Sequence, residues 1–139
     1  MLKLSGGLRV LLADDHKPIL ERVKELLLEG GFDVVGTVEN GQALVAMARE
    51  LNPDVAVVDV EMPVLDGIEA VRQIRKLGGQ MKVVFLTVHE DPDWISQCFR
   101  AGALGYVIKS RLVSDLIPAI RMASLHRAFV SPTLPPSVR

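Results

Sequence analysis

Val55-Ala56-Val57-Val58-Asp59-Val60-Glu61-Met62-Pro63-Val64-Leu65-Asp66-Gly67 decides the fold of this chain. An apolar, mostly β-branched run with no polar alternation reads as a strand buried on both faces, the situation of parallel strands under crossover helices. Asp59 ends that run at the carboxyl edge of the strand, where open α/β sheets set their sites. Three further runs end in the same manner. Residues 8–13 lead into Asp14-Asp15, 82–86 into Thr87, and 105–108 into Lys109. Four strand ends therefore deliver three acids, one hydroxyl and one amine.

Between these runs, apolar residues recur at helical spacing. Ile19, Leu20, Val23, Leu26 and Leu27 mark a helix over 16–29, closed by Gly30-Gly31. Residues 32–38 read as a strand and 41–50 as a short helix with Leu44, Met47 and Ala48 on its apolar face. Asp66 caps a helix carrying Ile68, Val71 and Ile74, and Asp91-Pro92 opens another that runs to about residue 100. Ser114 or Asp115 begins the last helix, which takes Pro118 within its first turn, where a missing N–H costs no intrahelical bond. Five strands alternating with five helices predict an α/β fold, a doubly wound five-stranded parallel sheet covered on both faces. After Phe129 the prolines Pro132, Pro135 and Pro136 break any helix. One domain is expected over 1–129, with 130–139 as a tail or linker.

With 139 residues and 49% apolar content, the chain suffices for one core and is short for two domains. Its 16 basic and 17 acidic side chains leave a net charge of −1, which gives no support to generic attraction for nucleic acid or a membrane surface. Arg121 and Arg127 on a lone last helix read as a solvated face or a dimer contact. The single cysteine, Cys98, has no partner for an internal disulfide and reads as a quiet thiol in a helix. No apolar run reaches membrane-spanning length, and the first residues lack a signal-peptide block, so a cytoplasmic protein is expected.

Three acids brought together either share protons or hold a cation, because like charges at close range oppose each other's ionisation. Clustered Cys and His, the mark of structural zinc, are missing from the motif; hard oxygen ligands suit Mg²⁺, which takes one or two carboxylates and keeps water for the rest. Beside such a cation one carboxylate can attack a phosphoryl group. Lys109 then offers a point charge to a phosphoryl oxygen, and Thr87 a hydroxyl donor. Taken singly, each residue has an ordinary explanation as a loop acid, a solvated lysine or a local cap. Their combination in one order along the chain is what argues for chemistry.

In that combination the chain resembles the receiver domain of bacterial two-component response regulators, over roughly residues 8–127. The matching residues are Asp14-Asp15, Asp59 with Met62-Pro63 and Asp66-Gly67, Thr87, and Lys109. The resemblance implies a flavodoxin-like (βα)5 fold and an aspartate, Asp59, that takes a phosphoryl group from a histidine of a sensor kinase. It implies that Asp59 and Asp15 contact Mg²⁺ directly, that Asp14 acts through water, and that Glu61 offers its backbone carbonyl. Lys109 would bind the phosphoryl oxygen opposite the metal. Thr87 would turn toward the acyl phosphate and Tyr106 would move inward behind it, switching a surface made by the 91–100 helix, the Tyr106 strand and the last helix. Such a domain catalyses its own phosphorylation and slow dephosphorylation without being a conventional enzyme.

Val88 after Thr87, Ser110 after Lys109, and Phe129-Val130-Ser131-Pro132 are similar to NarL/LuxR-type transcriptional regulators. The bulk of Val88 narrows access to the phosphoryl group, while His89 and Glu61 stand where relatives tune hydrolytic water. In that subclass a linker leads to a helix-turn-helix DNA-binding domain, the expected transcriptional output; the ten residues after Phe129 do not hold one, and a piece of a longer regulator and a naturally short receiver both stay open. A homodimer on phosphorylation is the expected partner state. The main alternative is a phosphorylation-independent interaction module that has kept its pocket. A flavodoxin-like cofactor binder is disfavoured by an acid pair where a phosphate-cradling loop belongs, and a Mg²⁺-dependent hydrolase lacks a nameable general base.

Overall fold

Each strand alternates its side chains between two faces, and in the inner strands of the sheet both faces are buried and mostly apolar. In the computed structural model, which describes residues 7–132, the first strand, β1 (Arg9–Ala13), sends Val10 and Leu12 into one core and Leu11 and Ala13 into another. The remaining elements are α1 (Lys17–Glu29), β2 (Asp33–Val38), α2 (Gly41–Leu51), β3 (Val55–Val58), α3 (Gly67–Lys76), β4 (Lys82–Thr87), α4 (Pro92–Arg100), β5 (Gly105–Ile108), α5 (Leu112–Ser124) and β6 (Phe129–Val130). All neighbouring strands pair in parallel, in the order β2-β1-β3-β4-β5-β6. Helices α1 and α5 supply the core that holds Val10, Leu12, Val57 and Val107. Helices α2, α3 and α4 supply the core around Leu11, Val58, Phe85 and Tyr106.

The chain runs from β1 outward to β2 and then back past β1 to β3. This reversal opens a crevice at the carboxyl ends of β1 and β3, and Asp14 and Asp59 follow directly on those strands. Side-chain caps fix where three helices begin: Asn40 accepts from Ala43 N at 2.7 Å, Asp66 from Glu69 N at 2.8 Å and Asp91 from Asp93 N at 2.8 Å. At the start of α3 only glycine fits, because a Cβ on Gly67 would overlap the carbonyl oxygen of Asp59. The helix can therefore press against the backbone that carries the acid.

Two expectations need correction. The sheet has six strands rather than five: Phe129 and Val130 pair with Gly105 and Tyr106 at the edge of β5. Ordered contacts thus continue past residue 129, with Ser131 fully buried; residues 133–139 of the expected tail lie outside the described residues. The last helix also begins earlier, at Leu112. A 3-10 turn over Lys109–Arg111 feeds straight into it, and Leu112 and Leu116 bury together one turn apart. Pro118 is therefore beyond the first turn, and α5 forgoes the bond that an N–H there would have given to the carbonyl of Ser114. Among the described residues, no helix is long and apolar enough to cross a membrane.

Candidate functional site

Asp14, Asp15 and Asp59 each offer a carboxylate oxygen, and these oxygens lie within 4.8 Å of one another. Adjacent parallel strands bring the first and third together: Ala13 is in register with Val58, and Asp59 N donates to Ala13 O at 2.9 Å. Asp14 and Asp59 are buried, at 4% and 7% exposed, while Asp15 faces solvent. Asp14 Oδ1 also accepts from His16 N at 2.9 Å, which ties the acid to the turn into α1.

Lys109 leaves the end of β5 and bridges the two buried acids, its Nζ 2.9 Å from Asp14 Oδ2 and 3.1 Å from Asp59 Oδ2. Burial pushes the Asp59 carboxyl above its ordinary value, and the neighbouring Asp14 adds to this. The ammonium of Lys109 and a backbone bond involving Glu61 oppose the rise without overcoming it. For Lys109 burial works against the charged form, but the bond to Asp14 and the charge of Asp59 outweigh it and raise the amine. The result is a carboxylate held in place yet under-neutralised, with two further acids beside it. Such a donor set, all hard oxygen without histidine or sulfur, fits Mg²⁺.

Thr87 ends β4 fully buried, its Oγ1 accepting from His89 N at 3.4 Å. Tyr106 is also fully buried, and its hydroxyl donates to His89 O at 2.8 Å. Burial, with Cys98 and acids nearby, drives that phenol well above its usual range, so it remains a neutral donor. The Tyr106 ring is thus already inward, where the resemblance reserves that rotamer for the phosphorylated state. The His89 ring stacks on Trp94, centroids 5.0 Å apart and planes 24° from parallel. Its Nε2 lies 2.8 Å from Glu61 Oε1, close but out of hydrogen-bond alignment. The Glu61 side chain, which follows β3, therefore lies beside His89 of the β4–α4 loop. Cys98 is inert, fully buried with its thiol pushed up to about 12, chiefly by that burial.

Two groupings escaped the sequence. Arg75 donates to three backbone carbonyls, those of Gly79 (3.2 Å), Met81 (2.6 Å) and Gly102 (3.1 Å), and clasps the opposite edge of the sheet. Asp115 and Ser131 are buried together behind the Lys109 turn. Neither was named as a grouping, since the reach of Arg75 to Gly102 and of Ser131 to Asp115 depends on residues brought together by the fold.

A family model described as the response regulator receiver domain matches residues 10–121. Response regulator GacA of Pseudomonas viridiflava is 34% identical over 128 residues, covering 91% of this chain and 60% of the relative. Transcriptional regulatory protein PdtaR of Mycobacterium tuberculosis is 38% identical over 117 residues, 83% of this chain and 56% of the relative. The chain thus spans little more than half the length of such relatives. Among solved structures, a LuxR-family two-component response regulator from Aurantimonas sp. SI85-9A1 superposes with a TM-score of 0.87. It is 32% identical, with 92% of each chain covered.

Proposed function

The chain belongs to the response regulator receiver domain family, and from that premise we propose that Asp59 is its phosphoryl acceptor. The observation that carries the proposal is the Lys109 ammonium held 3.1 Å from Asp59 Oδ2 inside the acid cluster. A carboxylate oxygen of Asp59 attacks phosphorus in line as the bond from phosphorus to the kinase's histidine nitrogen breaks. A new P–O bond forms, and the imidazole leaves with the electron pair. Lys109 takes up charge on a phosphoryl oxygen, and the Thr87 hydroxyl, whose oxygen already accepts from His89 N, keeps its proton to donate to another. Asp15 and Asp59 would hold Mg²⁺ directly, with Asp14 through water and the Glu61 carbonyl completing the protein's share. When bound, the metal offsets the negative charge of the transferred group.

Receiver domains work with histidine kinases and output domains, and some dimerise. On this reading the chain acts in the cytoplasm, is charged by a sensor histidine kinase, and passes the signal to a transcriptional output domain beyond these residues. Phosphorylation would favour a homodimer. The test is intact-protein mass after incubation with acetyl phosphate and Mg²⁺. One added phosphoryl group, missing after chelation and in Asp59→Asn, is expected; no adduct on the folded protein would overturn the proposal. A second reading, a phosphorylation-independent interaction module, draws on the inward Tyr106 and its bond to His89 O. It predicts a sedimentation mass unchanged by labelling.

A further inference from the structure

The chain before and after Lys109 is held by a pair of residues outside the acid cluster, Ser131 and Asp115. The N–H of Ile108, the last residue of β5, needs a partner at the sheet's edge, because β6 ends at Val130. Ser131 supplies it: its Oγ accepts from Ile108 N at 3.0 Å and donates to Asp115 Oδ2 at 2.9 Å. The same Asp115 carboxylate receives Arg111 Nε at 2.8 Å, Arg111 Nη2 at 3.2 Å and Ser114 Oγ at 2.9 Å. Lys109 lies between these two anchors, with Ile108 fixed on one side and Arg111 on the other. Both members of the clasp are buried, Ser131 completely. A buried carboxylate that receives four donors favours the geometry in which all four reach it. Burial alone would raise the Asp115 carboxyl, but its donors from Arg111, Ser131 and Ser114 hold it below the ordinary value.

We propose that Ser131 and Asp115 are positioning residues for Lys109, setting where its ammonium stands against the phosphoryl group on Asp59; this rests on the reading of Asp59 as acceptor. A lysine is a point charge on a flexible stem, so its aim depends on the backbone that launches it. Ser131 also donates its backbone N–H to Tyr106 O at 3.0 Å, so β6 is keyed to the strand that carries both Tyr106 and Lys109. Residues after the helical core, where composition suggested a tail, thus belong to the site's framework.

The experiment uses the full chain with Ser131→Ala and Ser131→Thr, acetyl phosphate as donor and Mg²⁺ present. Labelling rate, Mg²⁺ affinity and exchange of the Ile108 amide are measured together. Ser131→Ala should label on the order of tenfold more slowly, within the hundredfold that a misplacement of about 1 Å can cost. Its Ile108 amide should exchange faster, its Mg²⁺ affinity should match wild type, and Ser131→Thr should recover the rate. Wild-type labelling kinetics in Ser131→Ala despite a freed Ile108 amide would overturn the inference. Parallel loss of Mg²⁺ affinity and labelling, or no recovery with threonine, would overturn it too by reducing Ser131 to a structural role. Failure of the wild-type protein to label would instead refute the acceptor reading itself.

Discussion

Replacing Lys109 by methionine removes the cation between two buried acids and keeps the length of the side chain. Asp14 and Asp59 then face each other with the 2.9 Å and 3.1 Å contacts gone. The folded protein's escape is to protonate Asp59, whose carboxyl is already raised by burial and by Asp14. From the ordinary value of 3.8, holding a carboxyl neutral at pH 7 costs about 4.4 kcal/mol, at roughly 1.36 kcal/mol per pH unit. That is a ceiling, since folded Asp59 starts above 3.8. The variant should therefore lose about 2–4 kcal/mol at pH 7 in the absence of metal, the scale of breaking a buried pair. The sign of the pH dependence follows. A carboxyl raised in the folded state contributes stability below its unfolded value, and that stability is lost as pH rises through the folded value. The amine of Lys109, raised from 10.5, titrates far above this window and adds no slope between pH 5 and pH 7. Urea unfolding of both proteins at the two pH values should show the gap narrowing at pH 5, by up to about 2.7 kcal/mol. A gap of the same size at both pH values would refute carboxylate repulsion as its cause.

Val64 is 73% exposed with φ at +71°, a conformation costly to a β-branched residue whose side chain lies mostly in solvent. Val64→Asn should stabilise by about 1 kcal/mol in thermal unfolding, and a lower melting temperature would count against strain at this turn. Tyr106→Phe leaves His89 O without its donor and should cost about 1 kcal/mol in urea unfolding; no cost would mean that the hydroxyl bond does not hold the inward ring. Gly67→Ala drives a methyl into the carbonyl of Asp59 and to 2.9 Å from Val58 Cγ1. It should cost about 3 kcal/mol and slow labelling, and wild-type stability would show that α3 need not approach so closely.

The fold was legible because its signals are local. The Val55–Val58 run and the helical spacing of Leu20, Val23 and Leu27 each fall within a few consecutive turns of chain. The acid cluster was legible for a related reason: a parallel sheet brings strand ends to one edge, so residues at those ends meet whatever the loop details. What escaped depends on tertiary contact. Ser131 stands before a proline and carries no strand signal, yet the open edge of β5 recruits it. Ser114 and Asp115 read as the start of the last helix, with Pro118 tolerated in its first turn, but burial of Leu112 and the Arg111–Asp115 bond extended α5 toward the site. The side-chain state of Tyr106 was not legible either, because the inward ring is chosen by a carbonyl 17 residues away.

The central claim, that Asp59 carries the phosphoryl group, is tested most directly by trapping the acyl phosphate. Protein labelled with acetyl phosphate and Mg²⁺ is treated with borohydride, which reduces an aspartyl phosphate to homoserine as phosphate departs, and is then mapped by peptide mass. Homoserine at position 59 alone, and none without the phosphodonor, is the predicted result. Homoserine at Asp14 or Asp15, or an unmodified Asp59 in protein shown to carry the label, would contradict it.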